Sequence, residues 1–317
     1  MSAEIETMFS GNNETPWHGL GTVVEDTLTW EEAFKKGGLE WRVDKRPLFT
    51  TTGEGELNEI EDSYATVRDT DNSVLGIVGS KYKVIQNREA FDFMDTIVGS
   101  GDIEYHTAGS LSEGKTIWLL ARPTKATITI EGTEDTSEPY ILLYNGHDGK
   151  RSLGFKLTTI RVVCQNTLNL AIQGKGNSVS ITHTGNIQEK IKVAHTVLGS
   201  SIKKFEEYNQ LANMLAKKDM TSESMEEFIK FLLPSTQDED STRLKNQRQN
   251  IINLFESGQG NDLAGIEGTA WAALNAVTEF NSHHRGRDNT DMRLSNLWFG
   301  TSETMNISAM NWLRQNI

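Results

Sequence analysis

The chain has 317 residues, of which 36% are hydrophobic and 24% charged, and its formal net charge at pH 7 is -13. No apolar run approaches the roughly 18 residues that a membrane-spanning helix needs, and the acidic, polar start does not resemble a signal peptide. The single cysteine, Cys164, excludes an intrachain disulfide framework. These features predict a folded cytoplasmic protein.

The charge is distributed unevenly along the chain. Residues 1–79 contain 6 Lys and Arg against 16 Asp and Glu, whereas residues 140–218 contain 11 Lys and Arg against 4 Asp and Glu. A basic segment within an acidic protein indicates a local surface for anions. The alternative, that helices and strands sort their charges in this way without a function, stays open because residues close in sequence need not form one surface.

The first third of the chain predicts short helices among strands. Thr29 followed by Glu32 predicts a capping box at the start of a short helix. Residues 53–62 are predicted to be an exposed acidic loop, and Asn87 is predicted to cap a helix over 88–98. Alternating apolar and polar residues predict three strands, at 39–50, 63–69 and 73–79.

The centre of the chain predicts a β-meander, and the last part is helical. Asp148 and Gly149 lie between two apolar runs, which is a strong hairpin signal. A helix is predicted over 166–173, and a heptad stripe from Ile191 predicts a long helix with an apolar seam. The predicted fold is α+β, with a β-meander core and flanking helices in a domain over 1–186 and a helical C-terminal region over 187–317.

Sequence signatures of catalysis and metal binding are missing. His147 with Asp148 is only a dipeptide at a turn, and the adjacent His283 and His284 would point about 100° apart on a helix. Walker, GxGxxG and GxSxG motifs do not occur, and Cys164 lies in an apolar stretch typical of a buried thiol. We therefore predict no catalytic residue, no metal and no cofactor.

Nucleic acid binding is the function class with the most physical support. Basic residues cluster on the predicted hairpin and around Tyr82, and cations in a groove can follow phosphates while aromatic rings such as Tyr82 and Tyr144 stack on unpaired bases. Solvated strand ends and core tyrosines are the simpler alternative. The predicted nucleic-acid-binding residues are Lys81, Tyr82, Lys83, Arg122, Lys150, Arg151, Lys156, Arg161 and Asn166.

An ordered set of motifs resembles one protein family over nearly the whole chain. The motifs are PWHGLG (16–21), GLEW (38–41), VLGIVGSKYKVIQNREAF (74–91), TAGSL (107–111), YNGHDG (144–149), TTIRVVCQNTLNLA (158–171) and GTAWAALNAVTEF (268–280). With them the chain resembles the phage/plasmid-related family known as domain of unknown function nine-three-two (DUF932). The resemblance implies an origin in a virus or mobile element, and it implies no activity.

The predicted order of helix, β-meander and helix is also similar to the core of phage single-strand annealing recombinases of the Redβ, RecT, Erf and Sak group. This likeness is one of architecture, which carries function only weakly. It implies binding of unpaired DNA along a basic groove, assembly into rings or filaments, and no need for ATP or a catalytic metal.

Three hypotheses follow. The first is a phage-encoded, ATP-independent protein that binds and anneals single-stranded DNA, with the seam from Ile191 mediating assembly into a homo-oligomer. In the second, the acidic surface of residues 1–79 binds a host protein, as an anti-defence or host-takeover factor does. The third is a metal-dependent nuclease that uses His147 and Asp148.

Overall fold

The computed structural model describes residues 8–11, 22–24, 29–98, 103–124, 126–163, 166–169, 178–183, 201–235, 240–286 and 290–317. The chain divides into two compact units. Unit 1 comprises Met1–Thr124, Ile141–Lys156 and Ser178–Ser200, and unit 2 comprises Lys125–Tyr140, Leu157–Asn177 and Ser201–Ile317. The predicted division at residue 186 follows chain order, whereas the chain passes between the two units several times.

The elements form the mixed α+β architecture with a helical C-terminal region that the sequence predicts, so the predicted fold class is confirmed. The strands are β1 (Met8–Gly11), β2 (Thr22–Val24), β3 (Val43–Thr51), β4 (Leu57–Arg68), β5 (Val74–Gly79), β6 (Ile103–Leu111), β7 (Thr116–Pro123), β8 (Ile128–Thr129), β9 (Thr136–Gly146), β10 (Leu153–Arg161), β11 (Thr167–Asn169) and β12 (Ser178–Ile181). The helices are α1 (Trp30–Lys36), α2 (Asn87–Val98), α3 (Ser201–Ala216), α4 (Ser222–Leu232), α5 (Thr242–Ser257), α6 (Ala270–Glu279), α7 (Thr290–Phe299) and α8 (Thr301–Asn316), and a π-helical turn spans Phe280–His284. Within the described ranges, no helix has the length and apolar character that crossing a membrane requires.

Unit 1 contains two sheets. In the larger, β6, β7 and residues 141–146 of β9 are antiparallel neighbours, β1 and β2 continue beyond β6, and residues 153–156 of β10 pair with β12. The smaller sheet has the order β3–β4–β5. Strands β7 and β9 are buried along nearly their whole length, as expected for central strands covered on both faces. Their buried side chains include Trp118, Leu119 and Leu143.

Unit 2 is built around helix α6. All residues from Ala270 to Glu279 are buried, because the run of alanines lets neighbouring elements pack closely on every side. Helix α3 contacts it through Tyr208, whose ring centroid lies 6.2 Å from that of Trp271. The asparagine Asn213 joins α3 to β8 by donating to Thr129 O at 2.9 Å.

The heptad seam predicted from Ile191 is described only from Ser201 onwards, and residues 191–200 lie outside the described ranges. Its described apolar members are all buried in the chain itself: Phe205, Tyr208, Ala212 and Leu215. This part of the seam therefore packs inside unit 2 and is not available to a second subunit. Assembly through the seam stays a prediction that the described residues do not support.

Two predicted elements differ from the structure. The loop predicted at 53–62 overlaps strand β4, because Leu57, Asn58 and Glu59 pair with the end of β3. This pairing rests on backbone hydrogen bonds between exposed residues, so burial alternation gave no signal for it. The helix predicted at 166–173 begins instead as strand β11, which pairs with β10 and is fully buried. Residues 170–173 lie outside the described ranges.

Helix ends are set by side-chain caps. The capping box at Thr29 and Glu32 is confirmed, with hydrogen bonds in both directions at 2.9 and 3.3 Å. The cap predicted at Asn87 is wrong by one position. Gln86 is the N-cap residue of α2, since its carbonyl accepts from Ala90 N and its N–H donates to Glu89 Oε2 at 2.8 Å. The side chain of Asn87 points into the interior of unit 1.

Candidate nucleic-acid interface

Three side-chain hydrogen bonds in unit 1 join two segments. One is residues 81–87, which follow β5, and the other is residues 144–149, which include the end of β9 and the start of the turn towards β10. Tyr82 Oη donates to Gly146 O at 2.9 Å, and Asn145 Nδ2 donates to Ile85 O at 3.0 Å. His147 Nε2 and Asn87 Oδ1 are 2.7 Å apart. We call this set of contacts the junction. It brings together two segments that are far apart in sequence.

A close backbone approach reinforces the junction. A Cβ atom at Gly76 of β5 would lie 2.5 Å from Asp148 Cα, so only glycine allows the strand to come this near to the hairpin tip. At the tip, Gly149 has a φ of 75°, and Asp148 Oδ1 accepts from Lys150 N at 2.9 Å. The hairpin predicted from Asp148 and Gly149 is confirmed by this geometry.

His147 is the buried centre of the junction. Its ring is fully enclosed and meets Trp41 edge-on at 5.4 Å between centroids. Asn87 Nδ2 donates to two backbone carbonyls, so Asn87 Oδ1 is an acceptor and the proton of the neutral imidazole lies on Nε2. Burial, with a smaller contribution from the charge of His183, lowers the pKa of His147 to about 3. The side chain is therefore neutral at physiological pH.

Tyr82 is held by His183. The two rings stack in parallel with centroids 4.6 Å apart, and the backbones of Lys83 and His183 are joined by a hydrogen bond of 2.8 Å. Burial, and then the charge of Asp148, raises the pKa of the Tyr82 phenol, so it remains protonated and keeps its bond to Gly146. One ring face of Tyr82 is covered, and Tyr144 is only 7% exposed. Neither ring is open on both faces for stacking with bases.

The structure places exposed cations at the edge of the junction. Lys81 and Lys83 flank Tyr82 and are exposed, as is Lys150 at the hairpin tip. Arg151 is half-buried, and its Cβ would be 2.6 Å from a Cβ at Gly146. The junction thus carries the two basic segments that the sequence predicted separately. We call Lys81, Lys83 and Lys150 the lysine set.

The remaining predicted residues lie elsewhere. Arg122 forms an ion pair with Glu104 at 2.9 Å, so its charge is compensated. Lys156 is half-buried on β10, and the side chain of Arg161 is outside the described residues. Asn166 belongs to unit 2, where it is buried and donates to Asn275 O at 3.4 Å, and the helix it was predicted to start is not found there.

The geometry does not favour the nuclease hypothesis. The His147 ring is enclosed and bound to Asn87, and Asp148 accepts from the backbone of Lys150. Among the residues that the structure describes, no three His, Cys, Asp or Glu side chains are grouped so that they could hold a metal ion. His147 and Asp148 therefore act as structural residues of the hairpin in this conformation.

Comparison with known proteins identifies a family. The family model described as "Domain of unknown function (DUF932)" matches residues 74–298. The chain belongs to this family. No curated protein and no solved structure matched the chain. The DUF932 match covers both segments of the junction, while the motifs PWHGLG and GLEW lie before its start.

The sequence gives no functional signal for three residues of this DUF932 chain that form or support the junction. Lys45 Nζ donates to Ser80 O and Tyr82 O at 2.7 and 3.1 Å, and it lies over the ring of Tyr64. From the sequence Asn87 is predicted only to cap a helix, and no role is predicted for His183, whose ring stacks on Tyr82. The spacing of motifs gives no signal for such contacts, because they depend on how two sheets of unit 1 approach each other.

Proposed function

We propose that unit 1 binds single-stranded DNA through its phosphates and that the protein promotes annealing without ATP, as a component of a phage or mobile element acting in the host cytoplasm in recombination or replication. The observation that carries this proposal is the junction, which joins the Lys81–Lys83 segment to the hairpin that carries Lys150 and Arg151. Exposed ammonium groups on fixed backbone suit a chain of phosphates.

The contact would be mainly ionic. Because Tyr82 is stacked on His183 and Tyr144 is buried, base stacking on these rings contributes little to binding. Binding through phosphates alone predicts weak dependence on base sequence and strong dependence on salt. Bases left facing outward would be available to pair with a second strand, which is the requirement for annealing. A homo-oligomer, ring or filament, would need surfaces other than the described part of the α3 seam.

Labelled single-stranded and duplex DNA test the proposal. Binding is measured at low and moderate salt, with and without magnesium, together with the rate at which two complementary strands pair. We expect preference for single strands, faster pairing in the presence of the protein, and no cleavage in magnesium. No binding to either form of DNA at low salt would reject the proposal.

A second candidate function is recognition of a host protein, and one observation favours it. The β3–β4 pair continues into a hairpin whose apolar side chains Phe49, Leu57 and Ile60 are 51%, 68% and 41% exposed. The same hairpin carries carboxylates at Glu54, Glu56, Glu59, Glu61 and Asp62. Exposed apolar side chains among acidic groups are typical of a protein-binding surface.

DNA binding separates the two candidates. If the wild-type protein binds no DNA at low salt, the acidic hairpin becomes the better candidate site. Its partner would then be a protein with a basic and apolar surface, and Leu57→Ser with Ile60→Ser should abolish that complex without unfolding unit 1. If DNA binding is present and these two changes leave it intact, the hairpin plays no part in that function.

A further inference from the structure

Unit 2 contains a polar cavity of about 570 Å³ between helix α5 and the π-helical turn. Four residues of α5 line one wall: Arg243, Asn246, Gln247 and Asn250. Their spacing of three and four positions places them on one face of the helix. This face offers one guanidinium and three side-chain amides.

The opposite wall is formed by Phe280, His284 and Arg285. Arg285 N donates to Phe280 O at 2.8 Å, which is the five-residue hydrogen bond of a π-helix. In this wider turn, Phe280, His284 and Arg285 all lie on the side that lines the cavity. Single π-helical turns often occur at functional sites because they cost stability and need a reason to persist.

Among the residues that the structure describes, the lining of the cavity carries positive charge and no acidic side chain. None of the residues that line it is Asp or Glu. Arg285 Nη1 contacts the neutral acceptors Asn281 Oδ1 at 3.0 Å and Met305 Sδ at 3.3 Å. Among the described residues, neither Arg243 nor Arg285 forms an ion pair. Burial, and then the charge of Arg243, lowers the pKa of Arg285, as expected for two cations held near each other without a counterion.

We propose that this cavity binds the phosphate monoester of a nucleotide-sized ligand. Arg243 and Arg285 line the same space, a guanidinium group can donate paired hydrogen bonds to phosphate oxygens, and an anion would relieve the repulsion between the two cations. The volume falls in the range of roughly 300 to 1,000 Å³ that small-ligand sites occupy. The amides of α5 would bind the polar groups of the rest of the ligand. This site is separate from the lysine set and does not depend on DNA binding in unit 1.

Isothermal titration calorimetry on the full chain tests the site with deoxyadenosine monophosphate, pyrophosphate and deoxyadenosine. We expect the two phosphate compounds to bind and the nucleoside not to bind. Arg243→Gln should weaken binding about tenfold or more, since it removes one guanidinium from the exposed rim. Asn246→Asp should abolish binding, because it places a carboxylate in the lining with almost no change of shape.

Lys245→Gln is the matched control, since Lys245 is exposed on the same helix but does not line the cavity. It should bind like the wild type, and circular dichroism should show that all three variants are folded. The proposal is overturned if neither phosphate compound binds the wild type at millimolar concentration. It is equally overturned if Arg243→Gln and Asn246→Asp both keep the wild-type affinity.

A competition experiment identifies the source of the phosphate. An oligonucleotide with a 5′-phosphate that displaces deoxyadenosine monophosphate, where the same strand without that phosphate does not, would assign the group to a strand end. If neither strand competes, the ligand is a free nucleotide. The proposed phosphate site stands in both cases, and it can fail while the DNA-binding proposal for unit 1 survives.

Discussion

The lysine set of unit 1 and the arginine cavity of unit 2 hold positive charge in different ways. Lys81, Lys83 and Lys150 are exposed, and their two segments are joined to each other by hydrogen bonds of the neutral side chains of Tyr82, Asn145 and His147. Arg285 is recessed in a cavity and contacts only neutral acceptors among the described residues. Exposed ammonium groups suit a long chain of phosphates, whereas a half-buried guanidinium group with a second, exposed one at the rim of the same cavity suits one small anion.

The largest expected effect comes from breaking the support beneath the lysine set. Asn87→Ala removes the partner of His147 Nε2 and the donor to the carbonyls of Leu39 and Trp41, all inside unit 1. Because buried polar groups are then left unpaired, we expect the free energy of unfolding to fall by about 3 kcal/mol. Urea unfolding followed by fluorescence measures the change.

Asn58→Ala serves as the control for this substitution, since Asn58 is exposed on β4. Its effect should stay within about 0.5 kcal/mol, as is usual for surface positions. If Asn87→Ala is as mild as Asn58→Ala, the junction does not hold the two basic segments together. The arginine cavity should keep its ligand affinity in both variants wherever unit 2 remains folded.

The next effect is a dependence of stability on pH. The pKa of His147 falls from its ordinary 6.5 to about 3 on folding. Between these two pH values His147 binds a proton in the unfolded chain but stays neutral in the folded protein. The free energy of unfolding therefore decreases as the pH falls below 6.5. The slope from this one group is at most about 1.4 kcal/mol per pH unit.

His147→Gln isolates this contribution, because the carboxylates and His183 titrate in both proteins. We expect the variant to be less stable at pH 7.5, and its deficit relative to the wild type should shrink by about 2 kcal/mol on going to pH 5. Urea unfolding at several pH values gives the two curves. Parallel curves would mean that the imidazole is not buried in its neutral form.

The smallest effect is expected at Arg122. Because its charge is paired with Glu104, Arg122→Gln should leave DNA affinity unchanged within twofold. The loss of a partly exposed ion pair should lower the free energy of unfolding by about 1 kcal/mol or less. Fluorescence anisotropy with labelled DNA measures the affinity. A tenfold loss of DNA affinity would show that Arg122 contacts DNA, as the sequence predicts.

Local signals in the sequence predicted local structure well. The capping box at Thr29 and the hairpin at Asp148–Gly149 depend on neighbouring residues, and both are found. Residues 167–169 form strand β11, although the sequence predicts a helix there. The local pattern is misleading because the pairing of β11 with β10 and its burial are determined by other parts of the chain. Composition alone could not reveal that Thr167–Asn169 would be covered.

The candidate sites show the same limit. The basic hairpin and the Lys81–Lys83 segment were predicted from charge, but their joining through Asn87 and His147 was not. Arg122 matches the sequence pattern of a DNA contact, but in the structure it is paired with Glu104 on the neighbouring strand of the β6–β7 ladder. The arginine cavity gave no sequence signal, because Arg243 and Arg285 lie far apart in the chain. Contacts between distant segments decide which charges remain accessible.

The salt dependence of single-stranded DNA binding tests the central proposal most directly. Each phosphate contact contributes about -0.7 to the slope of log affinity against log salt on single strands. We predict that Lys81→Gln, Lys83→Gln and Lys150→Gln combined make the wild-type slope shallower by about 2. The charge-matched set Lys35→Gln, Lys36→Gln and Lys218→Gln should keep it. A wild-type slope and affinity in the first variant would contradict the assignment of DNA binding to the lysine set.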